Sequence, residues 1–91
     1  MAEGRDQGRA LDGNAIGGVL RELFDREMTT VLRDCASCGD TAAVDAHRAY
    51  VGGGIVLRCP SCGDVALTIV SATDRRIVRL SGRWTFELAR P

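Results

Sequence analysis

Residues 35–40 read CASCGD and residues 59–64 read CPSCGD, and these two near-copies hold all four cysteines of a 91-residue chain. The spacing is Cys35-x-x-Cys38, twenty intervening residues, then Cys59-x-x-Cys62. Two such pairs separated by about 15–20 residues are the pattern of a four-thiolate zinc site. The spacing has a chemical reason. Zinc in a closed structural site takes four soft ligands at tetrahedral corners, about 2.3 Å from each sulfur. Two residues between cysteines let one tight turn aim both sulfurs at a common centre, and a second turn completes the tetrahedron. Gly39 and Gly63 stand where each turn must bend away with positive φ, which glycine adopts at little cost. Pro60 holds φ near about −65° at the first position of the second turn. Backbone N–H groups of the turns then point at the thiolates and spread their charge.

Other uses of paired cysteines fit less well. Two disulfides suit an exported chain, but the start MAEGRDQGRA carries charges and glycines with no apolar segment, so it does not read as a secretory signal. A thioredoxin-like dithiol is one Cys-x-x-Cys at a helix start. Here both pairs end in Cys-Gly-Asp and precede strand-like segments.

Moving outward from the cysteines, Val65, Leu67 and Ile69 alternate with Ala66, Thr68 and Val70 after the second pair. Thr29–Arg33, Ala43–Val51, Ile55–Arg58, Ile77–Ser81 and the stretch containing Trp84, Phe86 and Leu88 show the same period of two. Punctuated by Gly52-Gly53-Gly54 and Thr73-Asp74-Arg75, they predict four to six short antiparallel strands. Before them, Ile16, Val19, Leu20, Leu23 and Phe24 fall at helical spacing. Asp12 or Asn14 is placed to accept the free amides of the first turn. Gly17 and Gly18 weaken that helix by about 1 kcal/mol each relative to alanine, unless something packs closely there. The expected organisation is a disordered tail over 1–10, an N-terminal amphipathic helix over 11–28 and a β domain over 29–88. The fold class is a small α+β, metal-stapled domain.

Composition bounds the function. Twelve basic residues, all arginine, balance twelve acidic ones, so no global field draws the chain to nucleic acid or a membrane surface. No apolar run approaches the roughly 20 residues that span a bilayer. The chain is expected to be cytoplasmic, with reduced thiols.

The pair CASCGD and CPSCGD followed by a strand hairpin resembles a zinc ribbon, over about residues 29–82. The LDGNA helix start joined to a single ribbon is similar to an uncharacterised family of short bacterial proteins, over nearly all of residues 11–88. The resemblance implies a rubredoxin-like arrangement of antiparallel hairpins, with Cys35, Cys38, Cys59 and Cys62 as ligands. It also implies broad roles for such ribbons: nucleic-acid binding, protein docking or a structural staple. Iron is the rival metal, because rubredoxin-type proteins carry similar CPxCG knuckles. Those resemble aromatic-cored electron carriers, whereas this chain has one Trp, one Tyr and two Phe.

His47 is the only histidine. Four thiolates already fill a coordination shell, so it reads as a surface or half-buried strand residue. No base–nucleophile pair is evident, and no enzymatic activity or small-molecule substrate is expected. The glycine triplet lacks the Lys-Ser/Thr of a phosphate loop and reads as a hairpin turn. Asp40 and Asp64 read as solvated turn residues that can also serve as acceptors near the metal. Residues 74–90 hold five arginines against two acids, and Arg75, Arg76, Arg79 and Arg83 are the candidate contact residues for nucleic acid or an acidic protein. Against this stands a plain solvated strand face whose aromatics pack on the helix. The expected function is a zinc-binding interaction module with an unknown protein partner; nucleic-acid binding and iron electron transfer are the alternatives.

Overall fold

A computed structural model describes residues 11–90 of the chain; the tail expected over 1–10 lies outside the described residues. The first element among the described residues is not a helix. Leu11–Asp12 form a two-residue strand, β1, paired with Ala49 and Arg48. A 3₁₀ turn over Gly13–Ile16 follows, and only then the helix α1, Gly17–Phe24. The helix expected over 11–28 is therefore eight residues long. The physical cause lies at Gly13, whose N–H donates to the His47 carbonyl at 2.8 Å and whose backbone is pressed against Val44. The Asp12 side chain makes no capping bond; tertiary pairing takes the place of the cap. At the other end the chain leaves α1 through Asp25 in the left-handed region, φ 55°, with its N–H on the Arg21 carbonyl at 2.8 Å. Gly17 has its expected close neighbour, since an added Cβ would sit 3.0 Å from Thr29 Cγ2, whereas Gly18 faces open space.

Seven further strands follow: β2 (Leu32–Asp34), β3 (Thr41–Ala43), β4 (Arg48–Val51), β5 (Ile55–Arg58), β6 (Val65–Ser71), β7 (Arg76–Leu80) and β8 (Arg83–Thr85). A short 3₁₀ turn, Val44–Ala46, separates β3 from β4, where the sequence had suggested one continuous strand. The strands make two antiparallel sheets, one in the order β1-β4-β5-β6-β7 and one in the order β3-β2-β8. Each cysteine pair is the turn of a hairpin, β2–β3 for the first and β5–β6 for the second. The two knuckles thus belong to different sheets.

Period-two alternation decides what each strand buries. Ala49, Leu57 and Leu67 lie opposite one another in register, as do Ile55, Ile69 and Val78. Together with Ile16 and Leu20 from the helical segment, and with Met28, Val31, Val44 and Ala66, they form one core. A fully buried aliphatic side chain of this kind contributes roughly 1.5–3 kcal/mol. Trp84 packs against this core, but β8 ends at Thr85 and Phe86 and Leu88 are exposed. The stripe expected to pack on the helix is reduced to Trp84; Phe86 instead has the Arg26 guanidinium 5.2 Å from its ring centre. No helix among the described residues is long and apolar enough to cross a membrane.

Besides Thr29, the interior contains two titratable side chains that the sequence did not place there. Arg33 and His47 are each 1% exposed, which corrects the reading of His47 as a surface or half-buried strand residue. Arg33 Nε donates to the Ser81 carbonyl at 2.8 Å, and its terminal nitrogens reach Ser81 Oγ and His47 Nε2, both at 3.3 Å. His47 Nδ1 lies 2.9 Å from the Ala43 carbonyl, so Nδ1–H is the donor and Nε2 is left to accept from the guanidinium. Burial, with the Arg33 charge adding to it and the Ala43 carbonyl opposing, holds the imidazole below its ordinary value. Folding therefore sheds a proton whenever the unfolded histidine carries one. Above the unfolded value of about 6.5 this linkage costs nothing; as pH falls below it, the fold loses stability. Metal-loaded protein should lose denaturant stability between pH 7 and pH 5, and His47→Gln should flatten that slope. An equal slope in the variant would assign the acid sensitivity elsewhere.

Candidate metal centre

The repeated motif folds twice into the same backbone turn. In the first knuckle the Gly39 N–H donates to the Cys35 carbonyl at 3.0 Å, and the Cys35 N–H to the Asp40 carbonyl at 2.9 Å. In the second, Gly63 donates to the Cys59 carbonyl at 3.0 Å, and Cys59 to the Asp64 carbonyl at 2.8 Å. Gly39 and Gly63 have φ of 79° and 83°, as the turn chemistry required, and neither has another atom in its way. Their need for glycine is conformational rather than steric.

These turns bring all four cysteine sulfurs within 4.8 Å of one another. Cys35 lies 3.7 Å from Cys62, and Cys38 lies 3.7 Å from Cys59. A tetrahedron with metal–sulfur bonds of about 2.3 Å has edges of about 3.8 Å. A disulfide bond is about 2.05 Å long, so the thiols are free, and the disulfide reading is excluded by distance. The donor set and its spacing fit a four-coordinate thiophilic cation. Cys35 and Cys59, the first of each pair, are buried; Cys38 and Cys62 are exposed.

The environment already favours thiolate at two of the four positions. The Cys38 and Ser37 backbone N–H groups pull the Cys35 thiol down to about 6, and the Ser37 amide nitrogen stands 3.4 Å from Cys35 Sγ. Cys59 is also lowered: burial opposes it, but the Cys62 and Ser61 N–H groups prevail. Cys38 and Cys62 are pushed up. Each has an N–H partner, from Asp40 and Asp64 respectively, but desolvation and the neighbouring sulfurs outweigh it. Four thiols this close do not all ionise without a cation among them.

The aspartates of the motif are more than turn residues. Ser37 Oγ donates to an Asp64 carboxylate oxygen, and Ser61 Oγ donates to one of Asp40. Each knuckle therefore holds the other through the same pair of side chains, as well as through sulfur. The bond from Ser37 and the Val65 N–H keep the Asp64 carboxyl below the usual range. The signal for this cross-bracing was present in the sequence as the repeated S-C-G-D, but only the juxtaposition of the turns reveals its reciprocity. Arg58, another residue that sequence reasoning passed over, donates to the Gly63 carbonyl at 2.9 Å and braces the second knuckle from below.

The four candidate contact arginines do not share one strand system. Arg76 and Arg79 lie on β7, Arg75 sits in the preceding turn with Asp74 at 3.2 Å, and Arg83 lies on β8 opposite Asp34 in the other sheet. Their proximity in sequence is not a single row in space.

No curated protein and no solved structure matches the chain. A family model matches residues 5–91, nearly the whole length, and on that match the chain belongs to DUF6510, a family of unknown function.

Proposed function

We propose that the chain is a zinc-held, non-catalytic interaction module of zinc-ribbon type, with one Zn²⁺ on Cys35, Cys38, Cys59 and Cys62. The observation that carries this reading is the pair of 3.7 Å sulfur–sulfur distances, which match the edge of a zinc–thiolate tetrahedron. Zinc bound there supplies charge neutralisation and four directed bonds. With four sulfurs around one point, no coordination position is left for a substrate, as in closed structural sites. The chain's own residues do the rest: two glycines shape the turns, amides and serine–aspartate pairs hold the sulfurs in place, and the hairpins carry the tension into both sheets. A reducing compartment such as the cytoplasm suits this thiolate set.

Elemental analysis of protein isolated without added metal tests the reading. One zinc per chain in a colourless preparation is the expected result. Iron in place of zinc, seen also as a red ferric-thiolate colour, or no transition metal at all, overturns it.

A further inference from the structure

We propose that the outer face of the five-stranded sheet is a docking surface for a protein segment that is acidic and carries aliphatic or aromatic anchors. The inference rests on the metal-held fold above and names where such a module would make its contact.

Alternation divides this sheet into two faces, except at the irregularity between β5 and β6, where Ala66 is buried although it precedes Thr68 by two residues. Ala49, Leu57, Leu67 and Ile69 point into the core. The intervening residues point the other way: Tyr50, Val56 and Thr68 stand opposite one another in register, with Val70 opposite Ile77 in the next row. None of these belongs to the core cluster. Val70 is 49% exposed and Ile77 37%. Tyr50 and Val56 are half-buried and Val70 and Ile77 exposed, with Thr68 between them; a contiguous, partly open apolar patch across four strands marks a contact surface rather than a scattered exposed residue. Beside it, Tyr50, Val56, Val70 and the glycine turn line a cavity of about 400 Å³. Gly54 cannot be replaced there without cost, because an added Cβ would meet the Ile69 carbonyl at 2.7 Å. The turn leaves room at the edge of the face where an anchoring side chain can enter.

Charge chooses the partner. Strands β4 to β7 contain four arginines, Arg48, Arg58, Arg76 and Arg79, and no aspartate or glutamate; the one acid in this sheet's strands is Asp12 on the edge strand β1, opposite Arg48, so Arg58 and Arg79 border the face with no carboxylate as cross-strand partner. Alternation and register put Arg48 and Arg58 at one end of the outer face and Arg79 beside Thr68. Arg58 is already oriented, with its guanidinium 5.9 Å from the centre of the Tyr50 ring. An apolar centre bordered by guanidinium groups is the arrangement found where proteins recognise proteins, with Tyr and Arg over-represented at the positions that matter most. Guanidinium forks match carboxylates two bonds at a time. A nucleic-acid strand is a poorer fit, since the face offers one aromatic ring rather than a stacking series.

Selection from a phage-displayed random peptide library on zinc-loaded protein tests the proposal. Val70→Asp and Arg79→Glu remove the anchor site and the charge, and Arg83→Glu on the other sheet is the control. All three side chains are surface positions outside the core, and their zinc content and melting temperature are checked first. The expected outcome is enrichment of peptides combining carboxylates with Leu, Ile, Phe or Trp. These should bind at least ten-fold more weakly to Val70→Asp and Arg79→Glu and equally well to Arg83→Glu. No enrichment, enrichment of basic or uncharged peptides, equal binding to the face variants, or tighter binding of a single-stranded oligonucleotide to this face overturns it. Metal is measured on the same preparation. One zinc per chain without enrichment sinks the docking face alone; metal-free folded protein that still selects acidic peptides sinks the zinc reading alone.

Discussion

Stripping the metal with a strong chelator under reducing conditions should unfold or loosen most of the chain, and adding zinc back should restore it. The two knuckles are the turns of hairpins in different sheets, so a cation held by both would be a direct bond between those sheets at that end of the molecule. Without it, four thiols packed within 4.8 Å of one another must either hold protons or repel as thiolates. The energies favour collapse. Apparent zinc-binding energies at four-ligand structural sites are about 10–16 kcal/mol, whereas a domain's whole stability is about 5–15 kcal/mol. A chain of 91 residues lies at the small end, where the core alone is marginal. Far-ultraviolet circular dichroism and the fluorescence of Trp84, the single tryptophan, follow the transition. Trp84 is a good reporter because its Nε1–H donates to the Ser81 carbonyl that Arg33 also uses. Unchanged spectra with the metal proven absent would refute the staple.

The second large effect is expected at a position with no chemistry. Gly13→Ala should destabilise the metal-loaded protein by about 3 kcal/mol or more, at or beyond the usual upper range for overpacking. An alanine Cβ would lie 1.9 Å from the Val44 carbonyl oxygen and 2.9 Å from its carbon, with Asp45 Cα at 3.2 Å. All three are backbone atoms, which cannot rotate away as a side chain would. The Gly13 N–H bond to the His47 carbonyl holds the same two segments together, so relieving the clash also breaks that bond. The 3₁₀ turn that begins the helix would have to lift off the one that leads into β4. Gly18→Ala is the matched control. That position is exposed, lies in α1 and has nothing within 4 Å of an added Cβ. It should gain about 0.5–1 kcal/mol from helix propensity alone. Denaturant midpoints at fixed zinc concentration measure both. A cost at Gly13 below about 1 kcal/mol would mean that the contact is looser than its geometry.

Much of the site was legible because its determinants are local. The clustering cysteines, the positive φ of Gly39 and Gly63 and the hairpin character of β5 and β6 follow from residue types a few positions apart, where backbone sterics act directly. The helix was legible in kind but not in length, since pairing of Leu11 and Asp12 with β4 took its first turn.

Burial along β2 shows where local reading ends. Hydrophobicity in VLRDC, residues 31–35, would turn Leu32 inward and Arg33 outward; the molecule leaves Leu32 48% exposed and Arg33 1%. In a strand, Val31, Arg33 and Cys35 share a face. Val31 is required in the core and Cys35 at the cluster, so the arginine between them must follow. Its guanidinium is tolerated because Ser81 and His47 supply acceptors from 48 and 14 residues away. By itself the amino-acid sequence determined which atoms can hold a metal and how each knuckle turns, because bonding preference and backbone sterics act over a few residues. Only the tertiary structure decided which sheets the cysteine cluster joins, which polar groups are buried and which face stays partly open. Those depend on the partners that distant segments bring, which no local pattern encodes.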